Sequence, residues 1–300
     1  MLRLPAGALL ALMLMIVGAP VAPAEAAGAG KADGSLRLDK AQTALTNAYA
    51  IEVVEVPEMR MEGSPERTIM VLLTDRPMPE GRRVDDMAAM ELAYDGKMRG
   101  LVLDIDPATG TVQSGRTLLP QEELPQFFSV AGDPPSVSLA GFAEDKAKGT
   151  VTGKVKTTEP MEIVNFDNRP GPKTFTFNVL FTAPLVAAPT LTATLEGDQA
   201  KDSEQGRLLK QFLQTVADGD AEKLRAIVTK DHPALSMLNP EGMAQIKEMM
   251  FADGSSVDQL FGLLTKIYVY ENTAIALLRH SDGWSSFPLA REDGRWKMGY

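Results

Sequence analysis

The stretch Thr174–Phe181, TFTFNVLF, alternates apolar and polar residues over most of its length. Because successive side chains of a strand point to opposite faces, this pattern predicts a strand with one buried face. That face carries Phe175, Phe177, Val179 and Phe181. Outward from it, similar segments lie at 49–56, 68–75, 100–106, 149–157 and 190–197, with Pro- and Gly-rich turns between them. We therefore expect a mainly β domain over 35–196, either a sandwich or an open barrel, with one short helix at 84–94.

The periodicity changes after a polar segment, 197–203, which we interpret as a linker. A helical stripe follows over 204–217, with Asp202 and Gln205 at capping-box spacing before it. Asp220 and Asn239 are typical first residues of two further helices. Four strands are then predicted, at 263–270, 273–280, 284–290 and 295–300, with Asp-Gly turns at 282–283 and 293–294. The expected fold of 204–300 is an α+β cone, in which three helices pack on a curved antiparallel sheet.

Two short strings in this region, ADGDAEKL at 217–224 and EDGRWKM at 292–298, carry a family resemblance. With the order of helices and strands, they make 204–300 similar to the nuclear transport factor 2-like superfamily, in its SnoaL-like and lumazine-binding-like branches. That resemblance implies a cone with a pocket, found in enzymes, in ligand binders and in members without chemistry. The strings at 45–53, 71–81 and 100–115 resemble an exported bacterial β-rich domain of unassigned function. This second resemblance implies no reaction and no site.

The first residues have the three parts of a secretory signal peptide. Arg3 precedes an apolar run at 6–19, and Ala24-Glu25-Ala26 has the form of a cleavage site. The run is shorter than the roughly 20 residues of a membrane-spanning helix. We expect cleavage after residue 26, a flexible start at 27–34, and a periplasmic or secreted protein with no membrane span in its mature chain.

Composition excludes several classes of function. The chain has no cysteine, so thiol catalysis and thiolate metal sites are absent. The formal net charge is −10 and no cluster of Lys and Arg appears, which makes nucleic acid a poor partner. The two histidines, His232 and His280, lack the spacing of a metal motif. We expect no metal and no cofactor.

Within the expected cone, the sequence offers one weak catalytic site and one ligand pocket. Asp231 and His232 would supply acid–base groups, with Tyr268 or Tyr270 as hydrogen-bond donor, but an exposed turn explains this segment better. The expected pocket is apolar with polar tips, although for any single member ordinary core packing is the better explanation. Its residues are Phe212, Tyr268, Tyr270, Trp284, Trp296, Met298 and Tyr300.

Other polar residues are better explained by local structure. Asp104 and Asp106 begin like a calcium loop but lack its further ligands, so DPATG is interpreted as a hairpin turn. Asp75 and Arg76 are interpreted as an exposed pair in a turn. Gly153 lies inside a predicted strand, where it indicates a bend or a close approach.

The sequence favours a non-enzymatic exported protein that binds a partner protein or a small apolar ligand. The high methionine count, 16, supports an adaptable binding surface. One alternative is an isomerase-like or hydrolase-like enzyme with its site in the cone. The other is a structural role, in which the C-terminal domain forms a homodimer.

Overall fold

The computed structural model describes residues 28–54, 56–60, 62–80, 82, 84–120, 127–129, 135–164, 170–230, 232–252, 254–281 and 283–299. The predicted signal peptide, 1–26, therefore lies outside the described residues. The described chain divides into two units. We call Ala24–Glu55 with Glu62–Ala188 the large-sheet unit, and Val56–Met61 with Pro189–Tyr300 the small-sheet unit.

The large-sheet unit contains ten strands and one helix in its described part. The strands are β1 (Gly30–Leu38), β2 (Ala41–Val53), β3 (Thr68–Thr74), β4 (Gly100–Asp106), β5 (Thr111–Leu118), β6 (Phe127–Ser129), β7 (Val137–Asp145), β8 (Thr150–Thr157), β9 (Met161–Val164) and β10 (Pro170–Val186). The helix is α1 (Asp86–Tyr94).

The small-sheet unit contains five strands and five short helices in its described part. The strands are β11 (Leu191–Glu196), β12 (Leu264–Tyr270), β13 (Thr273–Arg279), β14 (Trp284–Glu292) and β15 (Arg295–Met298). The helices are α2 (Gly197–Asp202), α3 (Glu204–Asp218), α4 (Ala221–Ile227), α5 (Pro240–Met250) and α6 (Val257–Gly262). Two 3₁₀ turns, Pro57–Met59 and Pro233–Met237, also belong to this unit.

The large sheet forms around β10, the strand predicted from TFTFNVLF. It pairs with β1, β8 and β9 in antiparallel fashion, and with β2 over a short parallel contact. The path of the sheet runs β6-β5-β4-β3-β2-β1-β10-β8-β7, and β7 comes back close to β5. The predicted apolar face of β10 is buried in the core of this sheet, so the alternation was interpreted correctly. The residues of β10 in that core are Phe175, Phe177, Val179, Phe181 and Ala183.

The lack of a side chain at Gly153 of β8 leaves space for the ring of Phe181. A Cβ at Gly153 would come within 2.8 Å of the Phe181 ring. Any side chain there would displace the ring, because real Cβ atoms do not approach this closely. The predicted close approach at Gly153 is thereby confirmed.

Arg67 ties together three separate parts of the large-sheet unit. Its Nε donates to Glu52 Oε1 at 2.5 Å, and its Nη1 and Nη2 donate to the two oxygens of Glu144 at 2.7 and 3.2 Å. Glu52 lies on β2 and Glu144 on β7, while Arg67 immediately precedes β3. The hydrogen bonds from Arg67 are the main cause that lowers the pKa of both carboxyls. This ion pair holds the end strand β7 to the middle of the sheet.

The expected fold class is wrong. The chain is mainly β, with one nearly closed, barrel-like sheet of ten strands and a second sheet of five, not a β domain followed by an α+β cone. Strand β11, assigned by sequence to the first domain, forms an edge of the second sheet and pairs with β12. Alternation identifies a strand but does not say which sheet receives it, and this is why the assignment failed.

Several local features also differ from expectation. The expected linker 197–203 forms α2, and the expected flexible start 27–34 already contributes to β1. Asp202 and Gln205 do not cap α3; Ser203 does, since its Oγ accepts from the backbone N–H of Gly206 at 2.9 Å. Helix α6 was not foreseen. The predicted helix at 84–94 is confirmed as α1.

Other helix boundaries follow the sequence. Asp220 and Asn239 cap α4 and α5 by accepting from Lys223 N and Gly242 N, at 3.0 and 2.9 Å. Gly219 ends α3 with a left-handed conformation, φ 70°. Asp293 and Gly294 form the predicted turn, with φ of 52° and 75°. The turn expected at 282–283 includes Asp282, which lies outside the described residues.

Threonine bulges shape the small sheet on both sides of β12. The register of β11 against β12 shifts at Thr192, and that of β12 against β13 shifts at Thr265. Each bulged threonine donates its hydroxyl to a carbonyl across the pair, Thr192 to Val269 at 2.9 Å and Thr265 to Leu277 at 3.3 Å. Bulges increase the local twist of a strand pair, so these two bend the sheet around β12.

We expect the variant Arg67→Gln to lose about 1–3 kcal/mol of unfolding free energy, because it leaves two half-buried carboxylates without their charged donor. The matched control is Arg76→Gln. Arg76 is largely exposed and lies 3.8 Å from Asp75, and we expect that change to cost under about 0.5 kcal/mol. Urea unfolding of both variants provides the measurement. Equal losses in the two variants would contradict the assigned role of Arg67.

Candidate functional site

Four side chains from three distant parts of the chain meet on the small sheet. Glu58, in the Pro57–Met59 turn, accepts from Lys266 Nζ at 2.6 Å through its Oε1. Both oxygens of Glu58 accept from the hydroxyl of Tyr268, at 3.0 and 2.9 Å. Lys266 also lies 3.1 Å from Glu196. We call Glu58, Glu196, Lys266 and Tyr268 the carboxylate cluster.

The strand geometry explains why these groups converge. Lys266, Tyr268 and Tyr270 occupy alternate positions of β12 and therefore share one face of the sheet. In the antiparallel register, Glu196 lies opposite Lys266. The neighbouring positions of β12, Ile267 and Val269, face the helices instead and contribute to the core there. The cluster is thus on the sheet face that lies away from the helices.

Contacts within the cluster shift the pKa values of Glu58, Lys266 and Tyr268. Burial raises the pKa of Glu58, but hydrogen bonds from Lys266 and Tyr268 outweigh it and leave that pKa below its usual value. Hydrogen bonds to Glu58 and Glu196 raise the pKa of Lys266. Burial, followed by the hydrogen bond to Glu58, raises the pKa of Tyr268. These shifts favour the ionised carboxyl of Glu58, the charged ammonium of Lys266 and the neutral phenol of Tyr268.

Tyr270 adds a second buried phenol to this face. Burial, with a smaller contribution from neighbouring Tyr268, raises the pKa of Tyr270 to about 12. Lys266 also lies 5.5 Å from the centre of the Tyr268 ring, within cation–π range. The face therefore combines one cation, two phenols and the apolar side chains Ile275 and Leu277 of the neighbouring strand.

The structure describes one of the two residues of the predicted catalytic pair. His232 caps the Pro233–Met237 turn, because its Nδ1 accepts from the backbone N–H of Ala234 at 3.1 Å. This placement agrees with the simpler interpretation as a turn. Asp231 lies outside the described residues. His280 is half-buried at the end of β13, where its backbone N–H donates to Gly283 O at 2.9 Å.

The predicted pocket residues divide between the two faces of the small sheet. Phe212, Trp296 and Met298 are buried in the core between the sheet and the helices. Tyr268 and Tyr270 lie on the opposite face, and Trp284 is half-buried with the Arg279 guanidinium 5.7 Å from its ring. Tyr300 lies outside the described residues. These residues do not form one pocket, because strand alternation separates Tyr268 and Tyr270 from the core set.

A second polar cluster lies in the large-sheet unit. Arg116 of β5 pairs with Asp86 in the first turn of α1, and both side chains are largely buried. Asp104 of β4 accepts from Ser114 Oγ at 2.6 Å. Burial is the main cause that raises the pKa of Asp104. The DPATG turn itself uses Asp106, which accepts from Ala108 N and Thr109 Oγ1, each at 2.8 Å.

An open depression of about 590 Å³ lies elsewhere in the large-sheet unit, beside the turn between β1 and β2. Leu38, Asp39, Lys40, Ala41 and Lys173 line it. Three of these five side chains are charged, so its lining differs from the apolar pocket that the sequence suggested. Within the described residues, no group of three or more His, Cys, Asp or Glu side chains is placed to hold a metal ion. No helix in the same residues is long and apolar enough to cross a membrane.

The sequence analysis missed Glu58, Lys266 and the cluster they form. Glu58 and Lys266 are 208 positions apart, and no local motif joins them. The alternation of Lys266, Tyr268 and Tyr270 was the one readable signal. It showed a shared polar and aromatic face, but not that a carboxylate from the N-terminal half would lie on it.

We expect the difference in unfolding free energy between the wild type and the variant Glu58→Gln to depend on pH. The pKa of Glu58 is lowered on folding, so its contribution is present above the usual value of 4.5 and is lost as pH falls through the folded value. Urea unfolding between about pH 3 and pH 8 measures this. Glu196→Gln is the control and should show a smaller dependence, because Glu196 is 65% exposed. A difference for Glu58→Gln that does not change with pH would contradict the pairing.

Asp104 should show the opposite dependence. Its pKa is raised above the usual value of 3.8, so wild-type stability is greatest relative to Asp104→Asn at low pH and falls as pH rises through the folded value. The amide keeps an oxygen acceptor for Ser114 without the charge. Urea unfolding midpoints of the wild type and of Asp104→Asn between about pH 3 and pH 8 test this expectation. A difference in midpoint that does not change with pH would rule it out.

Comparison with known proteins identifies no relative: no family model, no curated protein and no solved structure matches this chain.

Proposed function

We propose that this chain is an exported, non-enzymatic protein that binds an extended segment of a partner protein. The proposed binding surface is the face of the small sheet that carries Lys266, Tyr268 and Tyr270. Export follows from the signal-peptide pattern at 1–26. The pKa shifts of Glu58, Lys266 and Tyr268 each move away from neutral pH, which supports binding over acid–base catalysis.

One observation carries the proposal: this face already binds the carboxylate of Glu58, which comes from a short segment far away in the sequence. Val56–Met61 belongs to the small-sheet unit, although the residues on both sides of it belong to the large-sheet unit. Its Val56 is buried, and Glu58 makes the hydrogen bonds described above. A face that accommodates such a segment within its own chain has the chemistry to bind one from a partner.

The loop that delivers this segment is longer than its strands require. Strands β2 and β3 are antiparallel neighbours, and their pairing ends at Val53 opposite Thr68. A hairpin connection between such strands commonly needs about 2–5 residues. The connection here runs from 54 to 67 and contains the Pro57–Met59 turn, and connections of this length are commonly functional. The additional length places Glu58 on β12.

Native mass spectrometry of the protein purified from the envelope of its own host tests the proposal. We expect loss of residues 1–26 and a bound protein chain. A mass increase of a few hundred daltons would favour the small apolar ligand instead, and integer multiples of the chain mass would favour self-assembly. Retention of residues 1–26 would overturn the proposed export.

Site-specific photocrosslinking locates the binding surface. Thr194 is exposed on β11 and lies opposite Tyr268 in the sheet register, so a photoreactive residue there should capture the partner. Leu180, which is 54% exposed in the large-sheet unit, is the matched control. Capture at position 194 that disappears in Tyr268→Ala supports the surface. Equal capture at both positions contradicts it.

A further inference from the structure

We propose that Lys266 and Tyr268 form a carboxylate-binding site, and that Glu58 occupies it as an internal ligand that a partner's carboxylate displaces. The inference rests on the proposed function for the identity of the partner, an extended protein segment with an acidic side chain. The site itself is defined by the geometry of the cluster. It can therefore be tested without any partner.

The two donors are positioned before a carboxylate arrives. Lys266 and Tyr268 are same-face neighbours on β12, which is hydrogen-bonded on both sides, to β11 and to β13. Their polar atoms converge on one carboxylate at 2.6 to 3.0 Å. A charged donor and a neutral donor on a rigid strand make a preorganised site, because little ordering is required when the ligand binds.

The carboxylate, in contrast, comes from a short 3₁₀ turn that is not a strand of the sheet. The Pro57–Met59 turn has backbone hydrogen bonds from Met59 N to Val56 O and from Arg60 N to Pro57 O, both within the segment. The side chain of Glu58 makes the polar contacts with β12. Detaching this side chain leaves the internal bonds of the turn intact, so the turn can leave the site without unfolding the sheet.

Glu196 makes that displacement possible at a moderate energetic cost. Lys266 lies between two carboxylates, Glu58 at 2.6 Å and Glu196 at 3.1 Å. When Glu58 leaves, Glu196 remains beside the ammonium, so Lys266 does not become an unpaired charge. Glu196 also repels an incoming carboxylate. A single small carboxylate should therefore bind weakly, and removal of the Glu196 charge should strengthen binding.

Glu58 has a further advantage over a free carboxylate, because it belongs to the same chain as the site. A tethered group competes at an effective concentration that is typically millimolar or higher. Acetate therefore should not displace Glu58 from the wild-type chain at ordinary concentrations. A partner segment that also contacts exposed residues beside the site, such as Thr194 of β11, gains the additional affinity that acetate lacks.

Acetate rescue of Glu58→Ala tests the site. We expect this variant to have a lower Tm than the wild type, and sodium acetate should raise that Tm in a saturable manner compared with sodium chloride at equal ionic strength. The wild type should show no such response. The double variants Glu58→Ala/Lys266→Met and Glu58→Ala/Tyr268→Phe should lose most of it. Glu58→Ala/Glu196→Gln should bind acetate several-fold more tightly.

Glu91→Ala is the matched control, since Glu91 forms an exposed ion pair with Arg82 at 2.6 Å in the large-sheet unit. Acetate should not raise its Tm. If Glu58→Ala does not fold, Glu58→Gln replaces it, with saturation-transfer NMR of acetate as the measurement. No acetate response, or an equal response in the double variants, overturns the carboxylate site. Partner capture at position 194 is independent of this result, so failure of the site and failure of the proposed function can be distinguished.

Discussion

The pairing of β10 with four other strands is the constraint on which the large sheet depends. This one strand pairs with β1, β8 and β9, and at its end with β2. Its alternate phenylalanines fill the interior, and Gly153 leaves the space in which Phe181 lies. A shift of one residue in β10 would move these rings to the outer face. The burial of the rings therefore selects one register for all of its neighbours.

Outside the apolar cores, two sets of polar contacts fix the positions of neighbouring segments. Arg67 connects β7 to the middle of the large sheet, and Lys266 with Tyr268 connects the Pro57–Met59 turn to the small sheet. Both contacts are partly exposed, so each contributes less free energy than a buried pair would. Their main effect is to specify position, since either can open while the surrounding strands remain paired.

Periodicity predicted individual elements well and their assembly poorly. TFTFNVLF, the helix at 84–94 and the caps Asp220 and Asn239 each depend on neighbouring residues, and the sequence shows those neighbours directly. The assignment of β11 failed because its partner, β12, lies far along the chain. The polar composition of 197–203 indicated a linker, but α2 forms there and buries Ala200. The expected cone failed for the same reason, since no local pattern reveals how strands are divided between two sheets.

The candidate site also shows that local sequence patterns do not reveal contacts between residues far apart in the chain. Alternation along β12 placed Lys266, Tyr268 and Tyr270 on one face, but it also separated them from Trp296 and Met298, with which the predicted pocket had grouped them. Aromatic residues close in sequence had been counted as neighbours in space without regard to the face each one occupies. Glu58 could not be found at all, because its position results from the length of the connection between β2 and β3.

That connection links the fold to the proposed function. Two adjacent antiparallel strands need only a tight turn, so a connection from 54 to 67 is not required by the sheet. It orders additional backbone, which costs about 1–2 kcal/mol of conformational entropy per residue. The burial of Val56 and the hydrogen bonds of Glu58 offset part of that cost. The connection also carries Arg67, whose hydrogen bonds belong to the large sheet, so Glu58 accounts for only part of the additional length. In the proposed function, Glu58 occupies the preorganised pair of donors on β12 until a competing carboxylate arrives.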